Sequence, residues 1–254
     1  MFCQLPKTSI IMATYNSSKY IKETINSIIQ QSTNDWELLI TDDCSTDETF
    51  DILKRYADKY KSIKAWKNDV NSGAAVARNY SIKNAQGRYI AFLDSDDLWY
   101  PEKLKYHLAF MEKNDAALSF TSYELIDENS KSLAKVVDKQ DLGWINYDDL
   151  LRKKSTFGCS TVVVDRDKIG DFKMPLLRTG QDYATWLQLI KISGKAIHYP
   201  QVLTRYRITP GSISRNKFKK AKRQWQIYRQ QENLNLYNSL VCFLFYAYRA
   251  IFRR

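Results

Sequence analysis

Residues 89–97 read Tyr-Ile-Ala-Phe-Leu-Asp-Ser-Asp-Asp, an apolar run that meets three carboxylates within four positions. A run without polar alternation predicts a strand buried on both faces, as in a parallel sheet. Pro101 follows and suits the first turn of a helix. The acidic cluster is therefore expected at the carboxyl end of a central strand, where open α/β sheets bind ligands. Packed carboxylates repel one another unless a positive group neutralises them. Mg²⁺ and Mn²⁺ prefer oxygen donors. The D-x-D of Asp94 and Asp96 then reads as a metal site facing a phosphate. Alone it also reads as a solvated acidic loop that caps the next helix, so the neighbouring stretches must decide.

Those stretches repeat one pattern. Residues 9–13 form a short apolar run that ends at Thr14-Tyr15-Asn16. Ser17 or Ser18 can cap a helix carrying Ile21, Ile25, Ile28 and Ile29 on one face. Residues 36–40 predict a second strand, ending at Asp42-Asp43. Ser45 and Glu48 have capping-box spacing before a helix marked by Phe50, Leu53, Ala57 and Tyr60. A weaker strand at 63–66 leads through Asn71-Ser72-Gly73 into a helix at 74–84, and residues 89–93 close the series. This alternation predicts a parallel, doubly wound α/β sheet. Downstream, the expectation is a helix marked by Leu104, Leu108 and Met111, and a strand at 116–126. Then come a polar surface excursion at 127–142, a short helix at 147–154 and a strand at 161–164. A helix opens at Gln181-Asp182 and ends at Gly194, and two short strands flank Pro200. From Ser214 the chain turns basic and helical.

In a parallel sheet all strand ends of one sense share an edge. Thr14-Tyr15-Asn16, Asp42-Asp43, Asn71-Ser72-Gly73 and Asp94-Ser95-Asp96 are thus expected to converge. Gly73 can supply a left-handed backbone angle or close approach to a ligand. Arg78 lies about one and a half helical turns further on and could reach a phosphate, although residue type alone reads as a solvated helix position. Asp182 reads either as an acid favoured by a helix N-terminus or as a general base. The sequence has no G-x-G-x-x-G, no G-x-x-x-x-G-K-[ST] and no G-x-S-x-G. Dinucleotide, P-loop and Ser-His-Asp hydrolase classes are disfavoured accordingly. Cys3, Cys44, Cys159 and Cys242 are scattered, which fits a reducing compartment and no structural zinc. No leader-like apolar segment opens the chain, and no apolar run reaches membrane-spanning length.

Taken together, S-I-I-M-A-T-Y-N, L-L-I-T-D-D-C-S-T-D, N-x-G-x-A-x-A-R-N, Y-I-A-F-L-D-S-D-D and G-Q-D-Y-A-T-W-L resemble the inverting family 2 glycosyltransferases. The likeness runs from about Ser9 to Ser214 and is nearest to non-processive bacterial enzymes of surface-polysaccharide synthesis: teichuronic acid, capsule and lipopolysaccharide types. It implies the GT-A fold over residues 1–213, with a nucleotide-binding half at 1–115, an acceptor half at 116–213 and a helical extension at 214–254. It implies a nucleotide-sugar donor, typically a UDP-sugar, a glycan or lipid-linked acceptor, Mn²⁺ or Mg²⁺, and a cytoplasmic location. By the same resemblance, Thr14, Tyr15 and Asn16 match the first nucleotide loop and Asp43 the acid that pairs with the base. Gly73 and Arg78 match the loop and helix that approach the nucleotide and its phosphates. Asp94 and Ser95 match the ribose and metal side, Asp96 the metal-coordinating member of D-x-D, and Asp182 the catalytic base. Gln181 stands where the family often has Glu, and Thr209 where it often has a metal- or pyrophosphate-holding His. The Q-x-x-R-W of processive synthases is absent. Residues 122–143 and 155–179 are expected to build the donor-sugar and acceptor pockets.

Two other classes compete with this one. A nucleotidyltransferase of similar fold would carry a glycine-rich basic loop after the first strand, which Thr14-Tyr15-Asn16-Ser17 is not. The net charge of +11 suits anionic partners, but no nucleic-acid motif appears. The basic residues gather instead after Arg205. Lys217, Lys219, Lys220, Lys222 and Arg223 precede an apolar stretch at 240–252 and a terminal Arg253-Arg254. This predicts either an interfacial helix on the anionic cytoplasmic face of the inner membrane or a helix that docks on the domain or on a second copy in a homodimer.

Overall fold

The structure, a computed structural model, describes residues 5–209 and 217–252. The residues of Cys3, of Pro210 to Ser214 in the loop after Thr209, of the expected boundary at 213/214, and of Arg253-Arg254 lie outside that range.

Four strands are laid side by side in parallel: β1 (Thr8–Thr14), β2 (Trp36–Asp42), β3 (Ile63–Lys67) and β4 (Tyr89–Phe92). Every residue of β2 and β4 is buried, as an unbroken apolar run requires. Neighbouring side chains pass to opposite faces. Ile11, Leu39, Ile90 and Phe92 enter one core, and Ile10, Met12, Leu38, Ile40 and Ala91 the other. The second core is closed by α1 (Ile21–Ile29), α2 (Thr49–Lys59) and α4 (Lys103–Lys113), through Ile21, Ile25, Ile28, Leu53, Leu104 and Met111. The first is closed by α3 (Ala74–Lys83) and α7 (Gln181–Ser193).

The added strands are β5 (Leu98–Trp99), β6 (Leu118–Ile126), β8 (Trp144–Ile145), β9 (Val163–Asp165) and β10 (Ala196–Arg207). The order is β3-β2-β1-β4-β9-β6-β10-β5, with β8 paired on β10. Strand β9 is antiparallel to both neighbours, while β6 and β10 are parallel to each other. The sheet is mostly parallel, as the alternation predicts, with β3, β2, β1, β4, β6 and β10 sharing one direction and β9 and β5 opposed to it. The polar excursion at 127–142 contains β7 (Ser132–Val137), paired back on β6. The two strands expected around Pro200 are one strand, whose register shifts between Tyr199 and Val202, where proline cannot donate to a ladder.

Two expected caps are used otherwise. Ser17 Oγ bonds Ser95 Oγ, and Ser45 Oγ turns to Asp42, so neither α1 nor α2 has a side-chain cap. Both serines are recruited by the loops at the sheet edge. At the carboxyl end of the chain, α8 (Lys217–Gln226), a π-helical turn (Ile227–Gln231) and α9 (Leu236–Phe252) fold back on α7 and α5 (Tyr147–Leu151). Ile227, Tyr228 and Cys242 join the first core, and Tyr228 Oη donates to Leu151 O at 2.6 Å. The extension is therefore docked. No helix among the described residues is long and apolar enough to cross a membrane.

Candidate active site

The four polar clusters meet at one sheet edge. Parallel pairing sets Thr14 beside Asp42, and Thr14 Oγ1 donates to Asp42 Oδ1 at 2.9 Å. Asp42 is fully buried and also accepts from Ser45 N and Oγ. It braces the first two loops. Asn16 extends the brace by donating from its backbone N to Ser45 Oγ and accepting from Thr46 N. Tyr15 stays exposed beside them. Asp43 accepts from Asn68 Nδ2, Ser72 N and, at 2.6 Å, Gly73 N. It shapes the turn in which Gly73 adopts φ of 95°, a region that disfavours side chains. Gly73 then opens α3.

That helix brings Arg78 under the acidic strand end. Arg78 is buried, and its Nη2 donates to Asp94 Oδ1 at 2.5 Å. Burial opposes its charge, but Cys159, Asp94 and Asp182 outweigh burial and hold its pKa above the ordinary value. Its Nε and Nη1 are buried with no partner among the described residues. Two buried, unsatisfied donors are costly, and they suit an anion with several oxygens.

The three carboxylates have separate fates. Asp97 points inward, accepting from Ser160 Oγ at 2.6 Å and Arg207 N at 2.8 Å. Burial, then Asp96 and Asp94, push its pKa well up. Asp94 pairs with Arg78, and its backbone N donates to Ser160 Oγ. Asp96 lines a cavity of about 430 Å³ with Tyr15, Asn16, Ser95, Glu128 and Thr209. Burial and the charge of Asp94 raise its pKa to about 6. A carboxylate crowded by another and open to a cavity fits a hard divalent cation. Among the described residues no three His, Cys, Asp or Glu side chains cluster as a metal cage. Asp94 and Asp96 would therefore share the ion with oxygens of a ligand.

Asp182 stands half-buried in the first turn of α7, behind Gly180 at φ of 75°. Its charge acts on Arg78 and Cys159, so the fold brings it to the Asp94 side of the site. Asp43, Gly73, Arg78 and Asp182 lie outside the lining of the 430 Å³ cavity, which occupies the Tyr15 side of the acidic loop.

Sequence reasoning missed Arg207 as a site residue. Its side chain is fully buried. Its Nε donates to Asp96 O at 2.6 Å, Nη1 to Ser130 Oγ at 2.8 Å and Nη2 to Glu23 Oε2 at 2.9 Å. It ties the acidic loop to α1 and to the turn before β7. The only sequence signal was its place in Tyr206-Arg207-Ile208-Thr209. Arg178, which lies against Gly73, gave none.

Residues 9–169 match the family described as Glycosyl transferase family 2. The chain belongs to that family. It is 43% identical over 249 residues to TuaG of Bacillus subtilis (strain 168), a glycosyltransferase provisionally named for teichuronic acid biosynthesis, with 98% of each chain covered. It is 40% identical over 220 residues to WfgD of Escherichia coli, covering 86% of this chain and 84% of the relative. WfgD is named a UDP-Glc:alpha-D-GlcNAc-diphosphoundecaprenol beta-1,3-glucosyltransferase. Among solved structures, Staphylococcus aureus TarS 1-349 in complex with UDP-GlcNAc superposes with a TM-score of 0.73 at 22% identity, over 89% of this chain and 65% of that one. The likeness to TarS shows the GT-A fold. This family 2 chain is thus a glycosyltransferase, of a fold class that commonly uses a divalent metal.

Proposed function

We propose that the enzyme transfers a sugar, with inversion, from a UDP-sugar to a hydroxyl of a lipid-linked glycan acceptor in bacterial surface-polysaccharide synthesis. The observation that carries this reading is Arg78, whose two unpartnered donors lie beside Asp94 with Asp182 in electrostatic reach. Thr14, Tyr15, Asn16, Asp43 and Gly73 form the cradle for the nucleoside, and Ser95 closes it against Ser17. Mn²⁺ or Mg²⁺ held by Asp94 and Asp96 would supply charge neutralisation to the diphosphate. Arg78 holds a phosphate oxygen of the leaving group. Asp182 accepts the proton of the acceptor hydroxyl as that oxygen bonds the anomeric carbon. The bond from the anomeric carbon to the diphosphate oxygen breaks on the opposite face, and UDP leaves with the electron pair. The names of TuaG and WfgD support the pathway and the lipid-linked acceptor.

The reading extends to the membrane. Tyr237, Leu240, Leu244 and Tyr248 of α9 are 74, 48, 68 and 61% exposed, at helical spacing. Ser239 and Cys242 face the core. A docked helix with an outward apolar row, beside the basic α8, fits the boundary of an anionic bilayer at the cytoplasmic face. The test of the transferase reading is UDP release from UDP-sugars with Mn²⁺ and a GlcNAc-diphospholipid. Acceptor-dependent release is expected. No release from any UDP-sugar and no UDP binding would overturn the reading.

A further inference from the structure

Three cations near the loop that leads to Asp182 have no acidic partner among the described residues. Arg223 of α8 lies directly on Gly180, whose missing side chain makes the room: a β-carbon there would fall 2.8 Å from Arg223 Cδ and 3.0 Å from its Nε. Arg178 is two residues before Gly180, and its Nη1 lies 3.4 Å from where a β-carbon on Gly73 would be. Lys220 is one helical turn before Arg223 on the same face. Burial and the charge of Arg223 both lower its pKa. None of the three makes an ion pair with a described Asp or Glu. Lys220 and Arg223 repel one another, and an anion held beside them offsets that repulsion.

The place of these cations sets the kind of anion. Gly180 and Asp182 are two residues apart, at most about 7 Å along the chain. A hydroxyl held at Asp182 and a phosphate held at Arg223 are then about one sugar ring apart. The donor diphosphate is already met by Arg78, Asp94 and Asp96. From this geometry we infer that Arg178, Lys220 and Arg223 form a second anion site, which grips the diphosphate of an acceptor whose first sugar carries the attacking hydroxyl. This rests on the transferase reading above and narrows its acceptor to a single sugar, or a very short glycan, on a lipid diphosphate. Of the α8 cations, Lys220 and Arg223 would then serve a chemical subsite rather than the bilayer surface.

The test uses the full chain saturated with UDP and Mn²⁺, so that the donor site is filled. Farnesyl diphosphate is titrated and its binding read as a thermal shift, with farnesol and phosphatidylglycerol vesicles as comparisons. Farnesyl diphosphate should stabilise the protein and farnesol should not. Arg178→Gln with Arg223→Gln keeps the stem that packs on Gly180 and removes both charges. It should weaken farnesyl diphosphate binding at least about tenfold, since charge-assisted contacts to phosphate are lost. Arg178→Lys with Arg223→Lys should restore part of it. Unchanged affinity in the Gln variant, an equal response to farnesol, or displacement by the vesicles at matched phosphate would overturn the inference. UDP affinity, measured separately, tells the two readings apart. If the wild type bound farnesyl diphosphate through these arginines but not UDP, the anion site would stand and the UDP-donor reading would fall.

Discussion

Arg78 Nη2 and Asp94 Oδ1 meet at 2.5 Å, joining the third helix to the end of the fourth strand. The arginine is almost fully buried, whereas the Asp94 side chain is 26% exposed toward the site. One donor satisfies the fold, and the two remaining nitrogens are spare.

Removing Arg78 should therefore damage both stability and binding. Arg78→Met leaves Asp94 without its counter-charge, a loss of about 3 kcal/mol for a buried pair. It also removes both spare donors. Urea unfolding should show the loss, and calorimetry should show UDP binding weakened at least about tenfold. Arg78→Lys should recover part of the stability but not the forked contact. Wild-type UDP affinity in Arg78→Met would show that the spare donors face no phosphate.

How much of this was legible beforehand depends on the kind of signal. The buried strands β1, β2 and β4 were plain, because burial on both faces leaves an unbroken apolar run. The convergence of their loops followed from parallel order. The roles of individual acids were not plain. Asp42 and Asp43, or Asp96 and Asp97, differ by one position, and one position turns a side chain from the interior to the ligand edge. Arg78 looked solvated because its partner comes from another element, 16 residues on. A strand as short as Leu98–Trp99 carries too few residues for a period. Arg207 depends on β10 arriving beside the acidic loop, which no local pattern encodes.

Asp96→Asn tests the cation. The change keeps shape and removes one charge from the crowded pair. Transfer supported by Mn²⁺ should fall at least about 100-fold, the scale seen when one transition-state electrostatic contact is lost. The extra thermal stabilisation that Mn²⁺ adds to UDP should vanish, while the melting temperature without ligand stays at or above wild type. Full activity in this variant, or undiminished wild-type activity in a chelator, would remove the metal from the account.

Asp182→Asn separates catalysis from binding. A general base acts in the transition state, so kcat should drop by roughly 10²–10⁴ with UDP-sugar affinity within about twofold. Comparable losses in both would make Asp182 a binding residue.

Buried His107 makes stability depend on pH. Ser119 Oγ donates to Ile197 O, so it accepts from His107 Nε2, and His107 Nδ1 accepts from Lys103 Nζ. The ring is a neutral Nε2–H tautomer. Burial first, then Lys103 and His198, lower its pKa well below 6.5. The unfolded chain therefore binds this proton near pH 6.5 and the native state only at lower pH. The contribution is present above 6.5 and is lost as pH falls, by up to about 1.4 kcal/mol per pH unit for one group. Urea unfolding between pH 8 and 5 should show the decline, and His107→Gln should make it shallower. A slope unchanged by that substitution would assign acid sensitivity to other groups.

Helix α9 packs one face on the core and exposes the other. Cutting the helix away would be a poor test, because Cys242 is buried against the core and Phe243 packs on Trp225. Truncation would open the core as well as remove the apolar row. Leu240→Glu with Leu244→Glu changes only outward positions, which are 48 and 68% exposed. Burying each leucine in lipid is worth about 1.5–3 kcal/mol when complete. Two buried acids would also repel an anionic surface. Co-sedimentation with vesicles containing phosphatidylglycerol should thus fall at least about tenfold, while melting temperature and UDP affinity hold. Salt should weaken wild-type binding, since the α8 cations act on headgroups only within a Debye length of about 8–10 Å. If the variant bound vesicles as well as wild type, the row would not face lipid. If wild type were a dimer by light scattering and the variant a monomer, the row would be covered by a second copy of the chain, and the membrane would have to be reached through α8 alone.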